Sequence, residues 1–437
     1  MSHLTHIAYP RRSQRGAAAL AVSLVLLFGM TLVTFFVNRS LLFEQKSSAN
    51  QTRSTQAFEV AEAGIEWATA RLNDNGPLST SSACTSTVTT SFKDTYAPKV
   101  GSPSNLTPPA NARSACRISG GALSCSCPAA GGTLSVGTST DPNFVVEITD
   151  EPLDPDAIRI TSRGCINQSA ACTSGSTGGD AVAAVSVTLK LLPIVRAAPA
   201  AALTTGGYAQ VCSSFNITNT SAVANGYLVN SGGQIQMGNG TYLSGTMPPG
   251  APNCGGGGGQ TLVTTPGTPL ASSMVASDTS LSTIASSSDG MFAAFFGTSL
   301  DQFKDIACTV TGSNAGDRAT NLLALYSGSL RCRDFWIDGP IHFSGNAALG
   351  GPNDPVTMVS SSAMDFNGNY DIWGIVYSDS TSVNALGTGT SDIHGAMITR
   401  GNYQNNGNGT IIFDPDVLGK IQDRGRMVRV PGTWRDF

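Results

Sequence analysis

From Gly16 to Val37 the chain runs for 22 residues without a charge. At about 1.5 Å per residue this spans a hydrocarbon core of roughly 30 Å. The apolar pattern then narrows to a stripe. Phe58, Ala61, Ile65, Ala68 and Leu72 recur at three- and four-residue spacing, while Glu59, Glu62 and Glu66 fall off that line. No proline stands between Pro10 and Pro77, and Asn73, Asn75, Gly76 and Pro77 supply a stop. The pattern predicts one helix from Ala17 to Leu72, on the order of 84 Å long. Its first part, 17–37, is apolar enough for a membrane, and its second part is amphipathic. Such a stripe needs a partner surface.

Beyond the helix the texture changes twice. From Asn75 to Pro142 the chain is rich in Ser, Thr, Pro and Ala, has little periodicity and reads as loop-rich. Three β-branched runs follow, Asn143 to Pro152, Ala157 to Cys165 and Ala181 to Leu192, separated by turn residues. They predict an antiparallel meander packed on the amphipathic half-helix. Ile194 to Gly207 reads as a linker. Short β runs broken by Gly and Asn come next, and they return near the C-terminus. Asp371-Ile-Trp-Gly374 matches Asp392-Ile-His-Gly395 at a distance of 21 residues, and Asn367-Gly-Asn369 resembles Asn406-Gly-Asn408. A period near 20 is one coil of a parallel β-helix; an irregular β-sandwich is the alternative. Residues 288–307 look like a short helix pair that forms a side insertion or a cap. The fold class is α+β, divided into a leader (1–16), a helix (17–73), a head (74–195) and a β-rich C-terminal domain (196–437).

Composition sharpens the compartment. Only 12% of the 437 residues are charged, about half the usual level of roughly 25%. Net charge is -4 with no long basic run after the span, so a nucleic-acid partner is not expected. All ten cysteines lie between Cys84 and Cys332, on one side of the apolar span. That fits disulfides in an oxidising compartment. The nearest pairings are Cys165 with Cys172 and Cys308 with Cys332. Zinc fits poorly, because Cys125-Ser-Cys127 is too tight and no His lies nearby.

Catalytic chemistry is sparse. His342 and His394 are the only histidines after residue 16, which leaves little for a Ser/His/Asp arrangement. Asp414-Pro-Asp416 reads as a turn capping a helix before Val417 rather than a calcium site. The run Gly255 to Gly259 lacks the Lys-Ser/Thr of a phosphate loop. No enzyme activity, cofactor or metal is expected.

Arg11, Arg12 and Arg15 precede the span, so the N-terminus is expected in the cytoplasm and the bulk in the periplasm. The apolar run is too long for a secretory signal, and no Ala-x-Ala site follows it. A basic leader ending at Gly16, an apolar run and a long amphipathic helix resemble the type IV prepilins. RGAAAL at Arg15 to Leu20 and QAFEVAEAGIEWA at Gln56 to Ala68 resemble PilX-type minor pilins in particular. The resemblance implies leader-peptidase cleavage between Gly16 and Ala17, methylation, and later export into an extracellular pilus. It also implies other minor pilins, the major pilin and a PilY-type tip adhesin as partners. Major pilins mostly carry a glutamate at the fifth mature position, where this chain has Ala21. That departure suits a tip or priming subunit supporting adhesion and twitching motility. The alternatives are the large tip pseudopilin of a type II secretion system and an uncleaved, membrane-anchored β-helix that binds glycans.

Overall fold

The computed structural model describes residues 15–74, 91–100, 105–128, 132–168, 170–173, 181–212, 214–221, 226–237, 261–266, 269–328, 332–381, 384–386, 389–405 and 407–436. Cys84, Cys254, the glycines 255–259, the stop residues 75–77 and Asn406 lie outside them.

Helix α1, Arg15–Leu72, is continuous. A five-residue helix α2, Phe92–Tyr96, follows, closed by a capping box between Ser91 and Asp94. The head is an antiparallel sheet with the order Gly425–Arg429, Ala181–Pro193, Ala157–Ile166, Asn143–Asp150, Ala112–Ser119, Ala122–Ser126. The three predicted strands form its centre. Two features differ from the sequence expectation. Ala112–Ser119 and Ala122–Ser126 are a hairpin, not loop. Their Ser-, Ala- and Cys-rich runs have weak β propensity, and the cross-strand Cys116–Cys125 disulfide fastens them. The C-terminal strand Gly425–Arg429 also returns to the head and pairs with Ala181–Pro193. The expected C-terminal domain therefore leaves and re-enters the head sheet at adjacent positions, with Gly425 opposite Pro193.

Between those positions lie stacked parallel strands in two ladders. One ladder runs Ile341–Phe343, Met364–Phe366, Asn384–Leu386, Tyr403–Asn405, Ala209–Val211, Ile235–Met237, all parallel. The other is built the same way around Asn369–Ser378 and Asp392–Thr399. The internal match stacks residue on residue, Asp371 on Asp392, Ile372 on Ile393, Trp373 on His394 and Gly374 on Gly395. Gly374 and Gly395 turn a corner with φ of 159° and 137°. A Cβ on Gly395 would sit 2.0 Å from the Gly374 carbonyl oxygen, so the close approach of successive coils requires glycine at this corner.

The stacking order is not the chain order. Leu203–Thr205 sits beside Asp392–Thr399, so the expected linker 194–207 ends as a strand in the middle of the stack. The chain then builds towards one end through Val229–Ser231 and Met274–Val275. Helices α3 (Thr279–Ala285), α4 (Ser288–Phe296) and α5 (Leu300–Lys304) carry it to the opposite end, where α6 (Ala315–Ser327) follows the strand Cys308–Val310. From Cys308–Val310 the coils build back to the middle. The helix pair at 288–307 thus belongs to a crossing connection rather than to a side insertion. Phe292 and Phe296 of α4 pack edge-on against Tyr377 at 5.0 and 5.6 Å, and α6 covers the end strands Cys308–Val310 and Ile341–Phe343. Helix α7, Pro415–Asp423, is capped by Asp414 and leads to the returning strand.

Candidate functional site: the opening helix and its joints

Helix α1 has two surfaces along its length. From residue 18 to residue 56 every residue is exposed, including Phe28 at 62%, Met30 at 70% and Phe43 at 75%. Side chains of this size facing water are costly, and the helix is long and apolar enough to cross a membrane. From Ala57 onward one face is covered. Ala57, Ala61, Ile65 and Ala68 are fully buried, Leu72 is nearly so and Phe58 is half-buried, all packed on the head sheet.

Small residues set the depth of this packing. A Cβ on Gly164 of the sheet would lie 2.3 Å from the Ala57 carbonyl and 2.4 Å from the Ala61 nitrogen. A Cβ on Gly64 of the helix would lie 2.1 Å from Ser162 Oγ. Ala57, Gly64 and Gly164 complete the seam around the predicted positions. The periodic stripe does not reveal them: Gly64 has no side chain to mark it, Ala57 sits one residue before the stripe's Phe58, and Gly164 lies on the sheet. Beside the seam, Trp67 packs edge-on to Phe92 at 5.5 Å and against Phe144 at 5.9 Å.

The C-terminal strand is fastened to the same helix. The Asn73 carboxamide accepts from the Met427 N–H at 2.8 Å and donates to the Met427 carbonyl at 3.0 Å. It thereby satisfies backbone groups on the edge of the sheet, where an unpaired strand is a liability. Arg429 pairs with Glu66 at 2.6 Å.

Gly16 and Ala17 fall in the first turn of α1. Cys165 is joined to Cys172, and Cys308 to Cys332 across the α6 connection, with Cα separations of 5.6 and 6.1 Å. Cys127 and Cys212 are disulfide-bonded as well, and no described cysteine is free. His394 lies flat on Trp373 with ring centroids 3.9 Å apart, and His342 contacts Asp365 at 2.8 Å. Among the described residues no group of three or more His, Cys, Asp or Glu could hold a metal ion.

Residues 15–66, the part of α1 from the membrane-grade run to the seam, match the family model described as PilX N-terminal. The opening helix is similar to a PilX N-terminal segment. No curated protein matches the chain. Among solved structures, the competence-associated pilin ComZ from Thermus thermophilus is similar at 13% identity, covering 88% of this chain and 98% of that chain. Its TM-score of 0.22 is too low to equate the two folds. The PilX-type segment thus includes both the exposed half and most of the seam, so the boundary between the two surfaces falls inside it.

Proposed function

We propose that the protein is a minor pilin of a type IV pilus, held in the inner membrane by α1 until it enters the filament. The single observation that carries this reading is the division of α1. Its PilX-type sequence leaves the outer half wholly uncovered and sinks the inner half into a rigid head. A helix built this way can exchange lipid for the helices of other pilins. The head and the stacked coils, which we read as a short parallel β-helix, make a bulky subunit. Bulk and Ala21 together favour the tip or the priming complex over the shaft. Leader cleavage between Gly16 and Ala17, an N-in topology and contact with other minor pilins, the major pilin and a PilY-type adhesin belong to the same reading.

The mature N-terminus tests it. Intact mass and terminal sequencing from native membranes are expected to give a start at Ala17 with a methylated amine. A start at Met1 overturns the assembly role. Deletion of the gene is expected to reduce surface pili and twitching. Loss of secreted proteins with normal pili would assign the chain to a type II secretion filament instead.

A further inference from the structure

A cleft of about 360 Å³ opens where α2, α7 and the turn 352–355 of the stack meet. Lys93, Lys99, Lys420 and Arg424 line it, together with Asp94, Asp354 and Asp423. The acids are already engaged, and Asp423 pairs with one of the cleft's own cations. Asp354 pairs with Arg333 at 2.7 Å and Asp423 with Lys99 at 3.2 Å. Asp94 accepts from the backbone and hydroxyl of Ser91 in the α2 cap.

The cations are less well served. Among the described residues Lys420 donates to neutral oxygens, the Pro352 carbonyl and the Asn353 side chain, at 2.7 Å each. Lys93 is only 8% exposed, yet its ammonium makes one hydrogen bond among the described residues, to the Gly425 carbonyl at 3.2 Å. An ammonium has three donors. Arg424 uses its terminal nitrogens on Asp334, Thr357 and the Pro355 carbonyl. Its Nε is buried with no partner among the described residues. Burial pushes the Lys93 amine below the usual lysine range; Asp94 pulls it back up and Arg424 lowers it further. Desolvated like charges with idle donors are costly, and charge-assisted hydrogen bonds to an anion would offset that cost.

We propose that this cleft binds one oxyanionic group, a carboxylate, sulfate or phosphate, held by the ammonium groups of Lys93 and Lys420, with the neighbouring Arg424 guanidinium adding positive charge. The site joins the head to the stack, so its ligand would stiffen that joint. It is independent of the pilin reading.

Calorimetric titration of the detergent-solubilised full chain tests it, with sodium sulfate, phosphate and acetate at constant ionic strength set by sodium chloride. Saturable binding of at least one oxyanion is expected. It should weaken at least tenfold in Lys93→Met and several-fold in Lys420→Ala. The second variant removes a partly exposed side chain and keeps the test decisive if the first does not fold. Preference for acetate points to a carboxylate ligand, and preference for sulfate or phosphate to a tetrahedral one. Absence of saturable heat with all three anions, or equal affinity in both variants, overturns the proposal.

Discussion

The two halves of α1 are one unbroken helix in two different environments. From 18 to 56 its residues are exposed whatever their type, and from 57 to 72 a face of small and branched residues is buried. The difference is made by the partner. The inner half meets a sheet that offers Gly164 and Ser162, so the backbones approach closely. The outer half meets no sheet; up to Val37 it is apolar on every side, and from Asn38 to Gln56 it is mostly polar. A helix apolar on all sides suits lipid or other helices, whereas one with a single seam suits one fixed neighbour.

Substitutions can break this contrast at either end. The largest effect is expected from Ile65→Ala, which should cost about 2–5 kcal/mol of head stability. Leu26→Ala should leave the thermal midpoint of the head unchanged. Equal losses at both sites, read by denaturation in detergent, would show that the halves are not distinct. Leu26→Arg reverses the roles, costing about 2.5–3.5 kcal/mol of membrane insertion with the head intact; fractionation of membranes measures it. Asn73→Ala removes both hydrogen bonds to Met427 and should cost about 1–3 kcal/mol, detected as faster exchange of the amides in 425–429. Arg429→Ala breaks an exposed pair with Glu66 and should cost about 0–1 kcal/mol, vanishing at high salt.

The smallest effect is in the pH dependence. The Lys93 amine is depressed in the folded state, chiefly by burial. Its contribution to stability is therefore fully present above the ordinary lysine value and is lost as pH falls through the depressed folded value. Between those two values the wild type should gain stability with rising pH, and Lys93→Met should flatten that gain in denaturant midpoints measured across the alkaline range.

The long helix and the meander were legible because each repeats a local period in a single stretch of chain. The stacking of Asp371-Ile-Trp-Gly374 on Asp392-Ile-His-Gly395 was legible for the same reason. What could not be read was order. Leu203 finds Met397, and Ala209 finds Tyr403, through parallel pairing between residues far apart in the chain, which leaves no periodic trace. The returning strand Gly425–Arg429 is five residues with two exposed arginines, and only its pairing with Ala181–Pro193 makes it a strand. The cleft is equally hidden, since Lys93 and Arg424 are brought together only after the stack is built and the chain has come back.

The return of that last strand has a consequence in time. Along the chain α1 and the central head strands come well before Gly425–Arg429, the strand that pairs with Ala181–Pro193. The head therefore keeps an open edge until the coils between those strands have formed. It can close only when residues near 193 and 425 meet, which joins the ends of a very long loop. The entropy of closing an unstructured loop rises with its length, but stacked coils that bring Gly425 back beside Pro193 have already removed most of that freedom. The coils thus act as a timer, holding the head incomplete until they have stacked.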